Sequence, residues 1–240
     1  MREHKKDDSM KFLKSTLGLK VIMALSGIVL IGFVVVHMLG NLQIFIPYSG
    51  SEEGGSAIDK YAMLLKSNAL VLWGARLTLL GSVCAHIYAA VVLTQRSNAA
   101  RPRDYMLRRW FSESYAVRTM RWGGVILLLF IIYHLLHLTV GVGSTGQIFT
   151  DIKHCTTEAC FVRQNVIDGF DNPFISLFYI ISQCALGLHL SHGVWSLFRT
   201  LGVTSTVWNT RSKMLALSIG GLITLGNTAI PLAVLMDIIN

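Results

Sequence analysis

Five long runs without a single charged residue constrain this chain more than any other feature. Each run approaches or exceeds the roughly 20 apolar residues that cross a bilayer core as a helix. A soluble domain carries roughly a quarter of charged residues, whereas this chain carries 14% charged and 52% hydrophobic residues. The sequence therefore predicts an all-α integral membrane protein. The uncharged runs are 21–46, 77–95, 122–150, 172–198 and 214–236.

The runs predict five transmembrane helices, numbered here as spans one to five. Span two begins near Ser67 and includes one charge, Arg76. Span one is longer than a signal-peptide core and has no small-residue cleavage site, so we expect it to be retained. We expect residues 1–240 to form a single membrane domain. The predicted spans are about 20–42, 67–94, 120–143, 172–198 and 213–236.

Lysine and arginine are distributed unevenly between the two ends of the spans. The N-terminal segment and the second and fourth connections hold 16 of the 21. Basic connections remain on the cytoplasmic side, which predicts a cytoplasmic N-terminus and an external C-terminus. The net charge of +8 is mostly this bias, and we expect no nucleic-acid partner.

The connections and the fifth span suggest further features. Residues 57–70, AIDKYAMLLKSNAL, have a helical apolar spacing that predicts a short helix on the outer surface. Connection 95–119 mixes arginines with aromatic residues, which suits an interfacial segment, a docking surface for a soluble partner, or both. Span five contains no histidine and reads as a packing helix, in which glycines permit close approach. These glycines are Gly220, Gly221 and Gly226.

The four cysteines do not decide the function. Cys84 and Cys184 lie within spans and read as small buried residues. Cys155 and Cys160 share the outer loop HCTTEAC, where a disulfide, two free thiols or half of a metal site are all compatible with the spacing.

Six of the eight histidines lie within the first four spans. An ionisable side chain inside a bilayer is costly and by default marks a site or a proton path. A single histidine of this kind often only hydrogen-bonds a neighbouring helix, but four spans each carry at least one. The six are His37, His86, His134, His137, His189 and His192.

The depths of these histidines form two levels. Counted at ~1.5 Å per residue from the nearest cytoplasmic charge, His86 and His189 lie about 15 Å deep. His37 and His134 lie about 20–25 Å deep, towards the outer side. Two pairs at two depths predict two stacked bis-histidine haems in a four-helix core formed by spans one to four.

Other uses of these histidines fit less well. Structural zinc or copper requires three or four ligands converging on one point. A proton relay normally includes an intramembrane carboxylate, and the spans have none away from their ends. The depths do not choose between His134 and His137, and His192 lies three residues after His189 on the same face. Arg76 either snorkels to the headgroups, pairs with a propionate of the outer haem, or binds a quinone head group.

The histidine-bearing segments resemble the cytochrome b membrane anchor of type B succinate:quinone oxidoreductases, the succinate dehydrogenases and fumarate reductases. The likeness spans all five helices. The segments are GIVLIGFVVVHMLGNL, RLTLLGSVCAHIYAA, RWGGVILLLFIIYHLLHLT and LGLHLSHGVWSLFRTLGVT.

The resemblance implies particular ligands and partners. It implies two haems b, with His86 and His189 on the inner haem and His37 and His134 on the outer haem. His137 and His192 would then lie beside the ligands, where each either hydrogen-bonds a propionate or quinone or simply packs. Flavoprotein and iron–sulfur subunits would bind on the cytoplasmic side. Electrons from succinate would pass through the haems to a quinone, usually menaquinone.

The quinone site and the setting of the chain follow less directly. No acid in the first outer connection matches the family pattern clearly, so Gln43, Lys66 and Arg76 are equal candidates for neighbours of the quinone. The resemblance implies a multi-pass protein of a bacterial inner membrane that works in the respiratory chain and the tricarboxylic acid cycle. It leaves open whether the complex forms a higher oligomer. The rivals are a dihaem anchor of a formate dehydrogenase or hydrogenase, and a haem-free anchor or transporter.

Overall fold

The computed structural model describes residues 14–48, 50, 55–100, 115–141, 160–203 and 205–239. For residues 115–119 it describes the backbone alone. Every regular element in these residues is helical. Five helices are long and apolar enough to cross a membrane, so this is a multi-pass membrane protein. The helices are α1 (Thr16–Asn41), α2 (Ala57–Lys66), α3 (Ala69–Ala99), α4 (Tyr115–Leu135), α5 (Val162–Phe170), α6 (Pro173–Thr200) and α7 (Thr206–Leu235).

The spanning helices are α1, α3, α4, α6 and α7, and most of them begin at a side-chain cap. A side-chain oxygen at the position before the helix accepts a backbone N–H of the first turn, which would otherwise have no partner. Pro173 at the first position of α6 costs no helical hydrogen bond, because a backbone N–H at that position would have no partner within the helix. The capping residues are Ser15, Asn68, Asn172 and Ser205.

The helix ends differ from the predicted ones mainly in the polar boundary regions. Helix α7 begins at Thr206, seven residues before the predicted start, and α3 continues to Ala99. The added turns carry basic side chains, whose long stems let the helix continue while the charge stays in the headgroup layer. Arg211 and Lys213 in α7 lie over the rings of Trp208 and Trp195, at 5.5 and 4.9 Å.

Helix α4 ends in an irregular turn. Its backbone widens into a π-helical turn over Leu136–Val140, and Gly141 follows with a φ of 88°. The amide of Gly141 donates to the carbonyl of Leu136 over 2.8 Å, which closes the helix end. The widened turn begins just after His134, so regular helical spacing does not predict where His137 points.

The two ends of the bundle are chemically different. At one end, named here the basic end, Arg96 donates to the Lys14 carbonyl over 2.8 Å and Arg121 donates to Asn98 over 3.2 Å. These bonds join the start of α1 and the start of α4 to the end of α3. Arg199 and Arg211 lie at the same end, on α6 and α7.

At the other end, named here the capped end, α2 and α5 pack over the ends of the spans. Both contribute to one apolar cluster with α4, α6 and α7, through Ile58 of α2 and Phe170 of α5. Asp59 joins the two surface helices, since it accepts the amide and hydroxyl of Ser56 and the amide of Arg163. The guanidinium of Arg163 also donates to the carbonyl of Ile44 over 2.7 Å.

Helix α2 confirms the predicted short helix, and its apolar side chains are buried only in part. Ile58 is buried, whereas Leu64 is 70% exposed. The second buried residue of α2 is Asp59, which follows Ile58. Its carboxylate accepts the hydrogen bonds at the start of the helix. Helix α5 was not predicted, although its apolar residues recur at helical spacing and pack into the apolar cluster of the capped end.

The spans pack in a pattern that leaves room between them. Helix α1 packs along α3, α4 packs along α6, and α6 and α7 form the most extensive pair. Among the described residues, the backbones of α1 and α4 do not form a packed pair, and neither do those of α3 and α6. The histidines predicted to act together lie on these separated helices.

Close packing of α6 on α7 depends on two glycines. A Cβ on Gly220 would lie 2.5 Å from the Gly187 carbonyl oxygen, and one on Gly187 would lie 3.0 Å from the Gly220 oxygen. Gly226 likewise approaches the sulfur of Met38. The predicted role of Gly221 is wrong, because a Cβ there would meet nothing within 4 Å. It lies on the exposed side of α7.

Candidate functional site: two cross-helix histidine pairs

The first histidine pair joins α1 to α4. The ring centroids of His37 and His134 lie 5.9 Å apart, and the ring planes are perpendicular. Phe33 stacks on His37 at 5.2 Å, and Phe130 contacts His134 at 5.6 Å. The pair therefore lies in aromatic, apolar surroundings between two helices whose backbones do not pack together.

The second pair joins α3 to α6. The ring centroids of His86 and His189 lie 6.3 Å apart, with 61° between the ring planes. The ring of His86 lies against α1, because a Cβ on Gly27 would be only 3.6 Å from its Cε1 atom. Three helices thus contribute to the position of this pair.

The separation within each pair suits a shared metal ion. Two imidazole nitrogens that each lie about 2 Å from one metal place their ring centroids about 6 Å apart. No group of three or more histidine, cysteine or acidic side chains in the described part of the chain could hold a metal. Two ligands per centre fit a haem, whose macrocycle supplies the other four positions, better than zinc.

Ring nitrogens without partners also bear on this fit. Within the described residues, the buried Nδ1 atoms of His134, His189 and His192 have no hydrogen-bond partner. Buried polar groups are nearly always hydrogen-bonded, and each exception calls for an explanation. A histidine that only packs would be expected to bond a neighbouring helix. His134, His189 and His192 all lack such a bond from Nδ1, so the feature that distinguishes His134 and His189 from His192 is the opposing imidazole.

His86 and His37 do have hydrogen-bond partners. Nδ1 of His86 lies 3.2 Å from both the Met23 carbonyl oxygen and the Ser26 hydroxyl oxygen. For His37, the amide of Asn41 donates to Nε2 over 3.2 Å. Metal binding through that Nε2 requires the Asn41 side chain to turn away. The ring separations of both pairs thus suit two ligands of one metal ion, and among the described contacts the Asn41 bond to His37 is the one that would have to be released.

The second histidine of each doublet lies elsewhere. His137 is fully buried, with Nδ1 hydrogen-bonded to the Tyr179 hydroxyl at 2.9 Å and its ring stacked on Tyr133. His192 packs edge-on against Trp195. The structure therefore places His134 opposite His37, and His189 opposite His86, where depth along the chain did not distinguish the members of each doublet.

Arg76 lies on the exposed surface of α3, with its guanidinium 5.1 Å above the ring of Trp73. An arginine over a tryptophan near a helix end is typical of a membrane-interface anchor. Lys66 lies nearby: burial lowers its pKa from the ordinary value, and the charge of Arg76 lowers that pKa further. A propionate or quinone contact of Arg76 stays a prediction, as does the neighbourhood of Gln43.

The glycines near the histidines divide into two groups. A Cβ on Gly32, Gly81 or Gly124 would meet nothing within 4 Å, so these positions border open space. Gly187 lies two residues before His189 but does not border open space. It packs on α7 instead, because its hydrogen faces Thr224 and the backbone of Gly220.

Sequence reasoning missed the polar contacts that cross between helices. Gln183 of α6 accepts from the Asn227 amide of α7 over 3.0 Å inside the bundle. Ser26 contacts His86 across 60 positions of the chain. No periodicity in either segment signals such bonds, since they depend on how each helix is rotated against its neighbour.

The cysteines follow the predicted map in part. Cys84 and Cys184 carry free thiols but are exposed on the helix surfaces, so their predicted burial is wrong. Cys160 is buried and disulfide-bonded. Its predicted partner Cys155 lies outside the described residues, as do His154 and most of connection 95–119.

No protein-family model, curated protein or solved structure that was compared with the chain matches it. Family and activity therefore rest on the motifs and on the geometry of the two pairs.

Proposed function

We propose that this chain is a dihaem cytochrome b that anchors a succinate:quinone oxidoreductase in the membrane. One observation carries the proposal: two separate cross-helix imidazole pairs, each at the spacing of two ligands on one metal ion. His86 and His189 would hold one haem iron, and His37 and His134 the other. When bound, haems ligated by two histidines supply one-electron transfer without an open position for oxygen.

The chain's own residues would insulate and separate the two centres. Phe33 and Phe130 cover the His37–His134 pair with apolar rings, which excludes water from that level. Helix α7 carries no histidine and packs on α6 through Gly187 and Gly220, so it would support His189 from behind. Low dielectric around each centre favours the less charged state of the iron.

The proposed orientation places the basic end in the cytoplasm, following the distribution of lysine and arginine. The flavoprotein and iron–sulfur subunits would then bind at the basic end, nearest the His86–His189 pair. The sequence contains no nucleotide-binding glycine fingerprint and no cluster-binding cysteine pattern, so the succinate chemistry would belong to those partners. The quinone, menaquinone by resemblance, would react near the capped end.

The first test is a reduced-minus-oxidised visible spectrum with pyridine haemochrome quantification on the purified membrane complex. We expect two haems b per chain. Replacing His86 or His37 by alanine should remove haem, whereas His192→Ala, at a position that faces no second histidine, should leave two. A chain without haem would refute the proposal and leave a haem-free anchor or transporter.

A second measurement identifies the partner enzyme. Succinate added to membranes that contain the complex should reduce the haems, and fumarate should reoxidise them. Reduction by formate or hydrogen but not by succinate would assign the same dihaem chain to a different oxidoreductase.

A further inference from the structure

We propose that Ser26 is a positioning residue for His86, acting with the Met23 carbonyl to hold the His86 ring with its hydrogen on Nδ1 and Nε2 free for a metal. This inference rests on the proposed function in so far as the metal is haem iron. The tautomer itself is a property of the chain and can be tested without the cofactor.

The proton assignment follows from the chemistry of the partners. Nδ1 of His86 lies 3.2 Å from the Met23 carbonyl oxygen. A carbonyl oxygen can only accept a hydrogen bond, so Nδ1 must donate. In a neutral imidazole one nitrogen carries the hydrogen and the other carries a lone pair. Nε2 of His86 is therefore the nitrogen that is left for ligation.

The Ser26 hydroxyl is arranged to accept as well. Its own hydrogen is directed to the backbone of α1, since Oγ lies 2.8 Å from the Ile22 carbonyl oxygen and 3.1 Å from that of Met23. The oxygen lone pairs remain available to the Nδ1–H of His86 at 3.2 Å. Ser26 is buried, so water does not compete for this bond.

Met23, Ser26 and Gly27 lie together on the side of α1 that contacts the His86 ring. Residues three and four apart share one helix face, and Gly27 lies beside the ring, since a Cβ there would be in ordinary contact with its Cε1 atom at 3.6 Å. These three residues are on α1, His86 is on α3 and the opposing His189 is on α6. A cross-helix hydrogen bond therefore fixes both the rotation of the ring and its tautomer.

This arrangement is specific to one of the four proposed ligands. His134 and His189 have no hydrogen-bond partner for Nδ1 among the described residues, and His37 is bonded through Nε2 to Asn41 on its own helix. The two centres are thus built asymmetrically. An acceptor on the outer nitrogen of a ligating histidine raises its basicity and holds its orientation. A more basic ligand favours the oxidised iron.

The variant test uses Ser26→Ala with two comparisons. Loss of the hydroxyl should raise the midpoint potential of one haem and alter the low-spin EPR signal of that haem, with the other haem unchanged. Ser26→Thr keeps the oxygen and should restore both properties. Ser182→Ala removes a buried hydroxyl whose one bond within the described residues is to the Phe178 carbonyl of its own helix, over 2.8 Å, and should change neither haem. Unchanged potentials and EPR signals in Ser26→Ala would overturn the inference.

A measurement on the unsubstituted chain keeps the inference testable if the variant fails to assemble. Nitrogen-15 NMR of the full chain, produced without haem, distinguishes a protonated ring nitrogen from an unprotonated one. We expect Nδ1 of His86 to be protonated and Nε2 to be unprotonated. The opposite tautomer would overturn the inference, whereas failure of the chain to bind haem in the spectral test would overturn the proposed function alone.

Discussion

Replacing Gly220 by alanine is expected to force α6 and α7 apart. A Cβ at this position would lie 2.5 Å from the backbone oxygen of Gly187, and it would also meet Oγ of Ser191. The serine hydroxyl can rotate away, but a backbone oxygen moves only with its helix. Because α6 and α7 form the most extensive helix pair, the strain spreads along the whole contact.

The cost of this substitution can be worked from the geometry. A Cβ is in ordinary contact at 3.4 Å or more, so the helices must separate by about 0.9 Å along that line. A gap of roughly 0.5–1 Å forfeits a quarter to a half of the dispersion attraction between facing atoms. Overpacking of this kind typically costs about 1–3 kcal/mol.

Gly221→Ala is the matched control, because it makes the same chemical change one residue later, where a Cβ would meet nothing within 4 Å. Both variants gain the same helix propensity, about 1 kcal/mol in water, so their difference isolates the clash. We expect Gly220→Ala to be less stable than Gly221→Ala by about 2 kcal/mol.

The assay is unfolding of the purified full chain by a titration with SDS in mixed micelles, followed by circular dichroism. Equal stabilities within about 0.5 kcal/mol would refute the close-contact reasoning, because a clash with a fixed backbone oxygen has no inexpensive relief.

Three further predictions concern single polar side chains. Asp59→Ala should lower the stability of the chain in thermal unfolding by about 3 kcal/mol, since it leaves buried donors at the capped end without an acceptor. Asn41→Ala should tighten haem binding at one of two sites in a titration of the haem-free chain, because it frees Nε2 of His37; loss of a haem would contradict this. Arg76→Gln should raise the pKa of Lys66 in an NMR titration, since it removes a like charge, but burial should keep that pKa below its ordinary value.

Much of the fold could be predicted because the bilayer imposes local rules. A helix that satisfies its own backbone hydrogen bonds and needs about 20 apolar residues to cross lipid can be recognised in each segment separately. The errors lie where that rule stops. Helix α5 is short and polar, and α7 gains turns in the headgroup layer, where composition sets no sharp boundary.

The candidate site was predictable in its depths but not in its contacts. The rise per residue is the same in every helix, so counting from the basic ends separates His86 from His37 without any knowledge of packing. The face that a helix presents to its neighbour cannot be obtained by counting residues along the chain. The opposition of His37 to His134 rather than to His137 depends on the rotation of α4 and on the widened turn that follows His134.

The sequence by itself thus determined that the chain is a helical membrane protein with histidines at two levels, because length, hydropathy and helical rise belong to each segment alone. Only the tertiary structure decided which imidazoles face each other, that Ser26 and Met23 hold the ring of His86, and that Gly220 rather than Gly221 lies against α6. These features depend on helix rotation and on cross-helix hydrogen bonds. Both are set by the packing of side chains far apart in the chain.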